Sequence, residues 1–92
     1  MVVGICYLEI YDRSSNSLKD KRRLLNSLKE KLKNRFNICV IEIDHHQLWQ
    51  RSRLAVITGG DPSVVDRTLK KVISYVEKNR KFQVIDFSME KR

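Results

Sequence analysis

The segment DHHQLWQR, residues 44–51, places two histidines beside a carboxylate and follows them with the only tryptophan of the chain. Imidazole and carboxylate groups are metal ligands, which makes Asp44, His45 and His46 a candidate metal site. Adjacent residues of an extended chain point in opposite directions, and no CxxC or HExxH spacing accompanies them, so we expect no metal site. Trp49 has two interpretations: a partly exposed anchor that stacks on a nucleobase, or a plug that closes the end of the core.

Two further motifs are weaker. Asp12 ends the first apolar run, where some metal-dependent nucleases of this type of fold carry an acid, but no second acid from that run joins it. Gly59-Gly60-Asp61 before a helix could hold an anion. However, the P-loop lysine is missing and Asp61 itself would occupy the position. We therefore expect no catalytic residue and no cofactor.

Basic residues are concentrated in one segment. The 92-residue chain has a net charge of +8, and residues 13–35 alone contain nine Lys and Arg against two acidic residues, a net +7. At helical spacing a narrow stripe of this segment consists of Lys19, Arg22, Asn26, Lys29 and Lys33. Such a stripe is typical either of phosphate contacts or of a solvated helix face, and like charges four residues apart repel each other.

Apolar periodicity predicts the elements that position these residues. Strands are expected over residues 2–11, 38–44, 51–58 and 82–89, with a turn or irregular link over 45–50. Ser17 is a predicted N-cap of a helix over 17–35, with leucines at helical spacing. Gly59-Gly60 breaks the third strand, and Asp61 with Pro62 begins a second helix. The buried stripe of that helix is Val65, Leu69, Val72, Ile73 and Val76.

The order βαββαβ with right-handed crossovers predicts an α+β, ferredoxin-like split βαβ sandwich. Its antiparallel sheet has the order 4-1-3-2, with both helices on one face; a sheet with strands 1 and 2 adjacent is the competing order. Strand 3 then separates Cys6 from Cys39 by roughly 10 Å, which is too far for a disulfide. Both cysteines are expected to be buried free thiols, since two are too few for a disulfide framework.

Strand alternation assigns residues to the two faces of the sheet. The face toward the helices is predicted to consist of Val2, Cys6, Leu8, Ile10, Cys39, Ile41, Ile43, Leu54, Val56, Ile85, Phe87 and Met89. The other face is predicted to carry Val3, Ile5, Tyr7, Glu9, Tyr11, Ile38, Val40, Glu42, Asp44, Arg53, Ala55, Ile57, Phe82, Val84 and Asp86. It is half apolar, so we expect it to pack against something, most simply a second copy, unless it is a tolerated mixed surface.

Charged residues gather at one end of that open face. Glu9 and Arg53 are predicted cross-strand partners within a structural ion-pair cluster, rather than members of a catalytic carboxylate site. Lys21 falls among the leucines of the first helix by phase. It is expected either to reach the strand-end carboxylates, pairing with Asp44 or Glu42, or to extend its ammonium group to solvent.

Length and composition indicate the number of domains and argue against a membrane or secreted protein. A chain of 92 residues corresponds to a single domain, residues 1–92. No apolar run has the length of a membrane span, and Met1–Leu8 lacks the basic leader of a signal peptide, so no membrane association is expected. The cysteine content is typical of a reducing cytoplasm.

Three stretches, SLKDKRR at 17–23, NRFN at 34–37 and IEIDHHQLWQR at 41–51, resemble the YlxP-like family, and TGGDP at 58–62 follows in the same order. These are small bacterial proteins classed as a domain of unknown function. The resemblance implies a ferredoxin-like fold. It also implies a cytoplasmic role near ribosomal RNA, because such proteins are often encoded beside translation initiation and ribosome-maturation factors. The family has no established active site to carry over to this sequence.

These observations favour a non-enzymatic RNA-binding accessory protein of the ribosome or translation machinery. The predicted nucleic-acid contacts are Lys19, Lys21, Arg22, Lys29, Lys33 and Arg51, with Trp49 stacking on a base. The third strand lacks the aromatic residues that an RNA-recognition motif requires. The alternatives are a dimeric interaction module docking an acidic protein, a metal-dependent nuclease using Asp12 or the Asp44–His46 cluster, and small-ligand sensing.

Overall fold

The structure is a computed structural model that describes residues 1–92. Its six elements are β1 (Val2–Asp12), α1 (Leu18–Arg35), β2 (Cys39–Asp44), β3 (Arg51–Gly60), α2 (Pro62–Lys78) and β4 (Phe82–Lys91). The order is the predicted βαββαβ. β3 and β4 each extend two residues beyond the expected end, and in β3 the residues Gly59 and Gly60 continue the strand opposite Val3 and Val2 and do not break it.

The sheet has the order β2-β3-β1-β4 with antiparallel neighbours, which is the predicted 4-1-3-2 order. One core joins the buried residues of both helices to one side of the sheet. The α+β, ferredoxin-like fold class is thus confirmed. Neither helix is long and apolar enough to cross a membrane.

Both helices begin and pack as their sequences predict. Ser17 caps α1, its hydroxyl accepting a hydrogen bond from the Asp20 amide at 3.1 Å. The side of α1 that faces the sheet buries three leucines, Leu25, Leu28 and Leu32. Asp61 occupies the predicted N-cap position of α2 before Pro62, but its side chain makes no capping hydrogen bond. The buried residues of α2 are the predicted Val65, Leu69, Val72, Ile73 and Val76.

The predicted facing of β2 was wrong. Val40 lies opposite Val56 and Glu42 opposite Leu54, so it is Val40 and Glu42 that face the helices. As a result Cys39, Ile41 and Ile43 are exposed, and Cys39 is not the core thiol that was expected. Residues 38–43 are apolar at nearly every position, and periodicity cannot choose between the two sides of such a strand.

The facing of β4 was also partly wrong, because a bulge interrupts the strand. Val84 pairs with Ile10 and Asp86 with Glu9, which leaves Ile85 as the extra residue. Before the bulge, Phe82 and Val84 pack on the core, although they were assigned to the open face. After the bulge, Phe87 and Met89 lie on the helix side as predicted, yet they are 48% and 40% exposed.

The two cysteines are free, as expected from the sheet order. Cys6 is buried on β1, Cys39 is exposed on β2, and β3 lies between the two strands. Cys6 pairs with Val56 and Cys39 with the adjacent Ile57, so the two thiols project from opposite sides of the sheet.

Candidate nucleic-acid interface

A carboxylate surrounded by basic groups lies where the open face of the sheet meets the link between β2 and β3. Glu9 is 8% exposed. Its Oε1 lies 3.0 Å from an Arg51 guanidinium nitrogen and 2.7 Å from His45 Nε2, and its Oε2 lies 3.5 Å from Arg53. The predicted cross-strand pair of Glu9 and Arg53 is confirmed. Each oxygen of Glu9 thus has a basic partner, and these residues form the predicted ion-pair cluster.

Lys21 is held on the other side of the sheet. It is 1% exposed, and its Nζ lies 2.9 Å from Glu42 Oε2 and donates a hydrogen bond of 2.6 Å to the His45 carbonyl. Of the two carboxylates expected from the sequence, Glu42 is the partner. A buried ammonium with two protein partners has no surface to offer a phosphate. Lys21 is therefore not a surface contact for a nucleic acid, and this prediction was wrong.

The link of residues 45–50 is fastened through His45. This residue has a left-handed backbone, with φ 66°, and its carbonyl and ring point to Lys21 and Glu9 respectively. It therefore joins α1 to the open face of the sheet. The importance of His45 was missed from the sequence, and the doubled histidine was the only signal for it.

Trp49 is 41% exposed on this link, beside the likewise exposed Leu48. Of its two interpretations, this placement favours the partly exposed anchor over the plug of the core. Arg51 follows at the start of β3, where part of its guanidinium contacts Glu9 and 46% of its side chain is accessible. Both side chains are thus accessible at the end of the molecule where α1 begins.

The acidic residues of the nuclease alternative are engaged in local structure. Asp12 is 2% exposed and accepts hydrogen bonds from the amides of Ser14 and Ser15, each at 3.1 Å, and from the Ser15 hydroxyl. This carboxylate caps the turn that leads into α1. Asp44 accepts from the His45 amide, and the His46 ring lies 3.1 Å from the Glu42 carbonyl. No group of three or more His, Cys, Asp or Glu is placed to share a metal ion.

The basic stripe of α1 lies along one flank of that helix. Lys19, Arg22 and Lys33 are exposed and Lys29 is half-buried. None of these four has a carboxylate oxygen within 4.0 Å, whereas Lys21 and Arg23 are paired. From Lys19 to Lys33 the stripe extends about 21 Å at the rise of an α-helix. Hence four unpaired cations form a row that begins in the same turn as Lys21, next to the link that carries Trp49.

Comparison with known proteins agrees with the sequence resemblance. The family model described as "Protein of unknown function (DUF503)" matches residues 3–89. The chain is also 29% identical over 73 residues to the uncharacterized protein YlxP of Bacillus subtilis (strain 168), an alignment that covers 78% of this chain and 77% of that protein. The family match spans nearly the whole chain, from β1 through most of β4. The chain belongs to the DUF503 family.

Proposed function

We propose that this protein is a non-enzymatic RNA-binding accessory protein. Its contact surface consists of Lys19, Arg22, Lys29 and Lys33 on α1 together with Arg51 and Trp49, and is called the α1 surface below. The observation that supports the proposal is the row of α1 cations that no carboxylate of the protein neutralises. Held side by side, these charges repel each other, and a polyanion relieves the repulsion.

The chemistry of the α1 surface fits a nucleic-acid strand. Lys and Arg on a helix neutralise phosphates and release counterions, which gives affinity with little dependence on sequence. An exposed indole beside such cations offers a platform for an unpaired base. Single-stranded loops and ends, abundant in ribosomal RNA and its precursors, present bases in this way. The resemblance to YlxP-like proteins supports the same setting, in the cytoplasm and near ribosome maturation or translation.

The test measures the affinity for a labelled ribosomal RNA fragment by fluorescence anisotropy over a series of salt concentrations. We expect log K to fall linearly with log salt. The double variant Lys29→Glu/Lys33→Glu should reduce the slope by about 1.4, since each single-strand phosphate contact contributes about 0.7. The matched control Arg67→Glu/Lys70→Glu changes the net charge equally on exposed residues of α2, and it should keep most of the slope. A plot without salt dependence for the wild-type protein would contradict the proposal.

The open sheet face supports a second candidate function, a dimeric module that docks an acidic protein. Val3 and Ile41 are exposed on this face, and a shallow depression of about 420 Å³ beside Val3 is lined by Cys39 and Ile57 among others. A second copy packed there would bury this apolar area. Light scattering should then find a dimer, and Ile41→Lys should convert it to a monomer. In this case Lys29→Glu/Lys33→Glu should abolish the protein partner complex and leave RNA affinity unchanged.

A further inference from the structure

A second basic site lies between the two helices. An open groove of about 760 Å³ separates the end of α1 from the second half of α2. Its volume lies within the range of pockets that hold small ligands. The groove is lined on the α1 side by Lys31, Arg35 and Phe36, and on the α2 side chiefly by Lys71, Tyr75 and Lys78.

The groove concentrates positive charge without any counter-charge. Four of its lining side chains are cationic and none is acidic. None of Lys31, Arg35, Lys71 and Lys78 has a carboxylate oxygen within 4.0 Å, although other lysines of the chain, such as Lys91 with Asp66, are paired. Four cations around one concave surface generate a focused potential that favours an anion.

The favourable interaction of cations with helix C-termini explains only two of these four basic residues. Arg35 and Lys78 stand in the last turns of α1 and α2, where a cation stabilises the exposed carbonyl groups. Lys31 lies one turn earlier in α1, and Lys71 about two turns earlier in α2. The helix dipole acts over the terminal turn only, so it does not explain these two lysines. They extend the positive charge along the groove.

An aromatic wall stands beside the cations. The rings of Phe36 and Tyr75 meet edge to face, with centroids 6.1 Å apart and planes at 81°. The Arg35 guanidinium lies 5.1 Å from the centroid of the Tyr75 ring, and this contact orients it in the groove. Both rings are half-buried, so each supports the core and still presents an edge or a face to the groove. The site therefore offers aromatic ring surface and a guanidinium plane within reach of fixed positive charge.

We propose that this groove binds a nucleoside phosphate. The phosphate is held by Lys31, Lys71 and Lys78, and the base lies against the wall of Tyr75, Phe36 and Arg35. The ligand is either a free nucleotide or a nucleotide unit of an RNA strand, since both present the same phosphate and base. Lys31 and Arg35 occupy the flank of α1 that faces α2, whereas Lys29 and Lys33 occupy the opposite flank. The groove is therefore separate from the α1 surface and does not depend on it.

The test follows amide signals of the full ¹⁵N-labelled chain by NMR during titration with AMP, with adenosine and inorganic phosphate as comparison probes. AMP should cause saturable shifts at Phe36, Tyr75 and Lys71. Adenosine should leave these signals unchanged, because it lacks the charge, and phosphate should bind more weakly than AMP, because it lacks the base. A tetranucleotide of uridine distinguishes the two sources of ligand: tighter binding than AMP at the same signals indicates an RNA strand, and weaker binding a free nucleotide.

Charge reversal on α2 distinguishes binding in the groove from binding at the α1 surface. Lys71→Glu/Lys78→Glu should weaken AMP binding by about tenfold or more, because it removes charge-assisted hydrogen bonds and adds repulsion. Arg67→Glu/Lys70→Glu and Lys29→Glu/Lys33→Glu should keep AMP affinity within about twofold, and the dispersion of each spectrum reports whether the variant is folded. The proposal is overturned if AMP causes no saturable shift at millimolar concentration, if adenosine binds as well as AMP, or if the Lys71/Lys78 variant binds AMP normally. None of these outcomes bears on RNA binding by the α1 surface.

Discussion

At the scale of single residues, buried polar side chains hold the link of residues 45–50 against the rest of the fold. Lys21 reaches Glu42 and the His45 carbonyl on one side of the sheet, while the His45 ring reaches Glu9 on the other. Removing a charge from water is costly unless a partner compensates it, so each of these side chains depends on its neighbour. The link that carries Trp49 is thereby held against α1.

Lys21→Met should be strongly destabilising. It leaves Glu42, whose side chain is only 15% exposed, without its cation, and we expect a loss of about 2–4 kcal/mol in the free energy of unfolding. Urea denaturation at neutral pH measures the change. Replacing both partners, as in Lys21→Met/Glu42→Leu, should restore much of the stability because no unpaired charge remains. The exposed Lys19→Met is the control, with an expected change below about 0.5 kcal/mol. A small effect of Lys21→Met would show that the ion pair contributes little.

The two thiols should differ in reactivity. Burial raises the pKa of Cys6 from its ordinary value of 9.0 to about 11, and Cys39 is exposed. At pH 8 a thiol reagent should therefore label Cys39 rapidly and Cys6 only after unfolding, as mass spectrometry of the labelled chain would show. Equal labelling rates in the native protein would contradict the burial of Cys6.

The same shift predicts a pH dependence of stability. Below about pH 9 the Cys6 thiol keeps its proton in both the native and the unfolded chain, so this group adds no pH dependence. Between about pH 9 and 11 the unfolded chain releases a proton that the native protein retains. The contribution of Cys6 to the free energy of unfolding should therefore fall over this range, and Cys6→Ala should remove that part of the decline.

At the scale of elements, α2 is positioned by a close approach to β1. Val65 and Leu69 of α2 pack over Gly4, where a Cβ atom would lie 2.2 Å from Val65 Cγ1 and 3.1 Å from Leu69 Cδ1. The absence of a side chain at Gly4 lets the helix approach the sheet at this point. The amphipathic stripe of α2 gives the helix its buried face, and Gly4 sets how near that face comes.

Gly4→Ala should push α2 away from β1 at the contact of Val65 and Leu69 with Gly4. The added methyl group displaces a β-branched side chain in the core, and we expect a loss of about 1–3 kcal/mol in thermal or urea unfolding. Gly59→Ala is the matched control in β3, because its nearest atom, the Val2 carbonyl oxygen, would lie 3.5 Å away. Adding Val65→Ala to Gly4→Ala should recover part of the loss by making room for the methyl group. If Gly4→Ala and Gly59→Ala are equally tolerated, the close approach does not limit the packing.

At the scale of the whole molecule, the charge is unevenly distributed. The segment 13–35 carries +7 of the net +8, and α1 bears unpaired cations on both flanks. One flank forms part of the α1 surface and the other lines the groove against α2. In the absence of an anion, this arrangement stores electrostatic repulsion in the native state.

Salt should therefore stabilise the free protein. Between about 0.01 M and 1 M NaCl the screening length falls from about 30 Å to about 3 Å. We expect the free energy of unfolding, measured by circular dichroism in urea, to rise by on the order of 1 kcal/mol. The reason is that salt screens the repulsion between several like-charged pairs four residues apart. Lys29→Gln/Lys33→Gln should reduce this gain. A decrease in stability with salt would indicate that the ion pairs of the protein outweigh the repulsion along α1.

Much of the fold followed from local sequence. Ser17 and Asp61 mark helix starts, the stripe from Val65 to Val76 matches the buried side of α2, and the order of strands and helices leaves few topologies. These features depend on residues near each other in the chain. The position of the charge on α1 follows from the same local pattern. The pairing of Glu9 with Arg53 is not local, and it could be anticipated only from the predicted sheet order.

The facing of the two edge strands was decided only in three dimensions. Both β2 and β4 are apolar on both sides for part of their length, so neither alternation is favoured until the strand pairs. The bulge at Ile85 then changes the side on which the later residues of β4 lie. In β2, Glu42 faces inward toward Lys21, a contact between residues 21 positions apart.

The sequence by itself thus determined the elements, their order and the location of the positive charge, because helix caps, periodicity and charge are local properties. The tertiary structure decided which charges are available to a partner. It buried Lys21, occupied Asp12 with the turn before α1, exposed Trp49 and brought residues 31–36 together with residues 71–79 to form the groove. Such juxtapositions depend on the angle and distance between packed elements, which no short segment of the chain specifies.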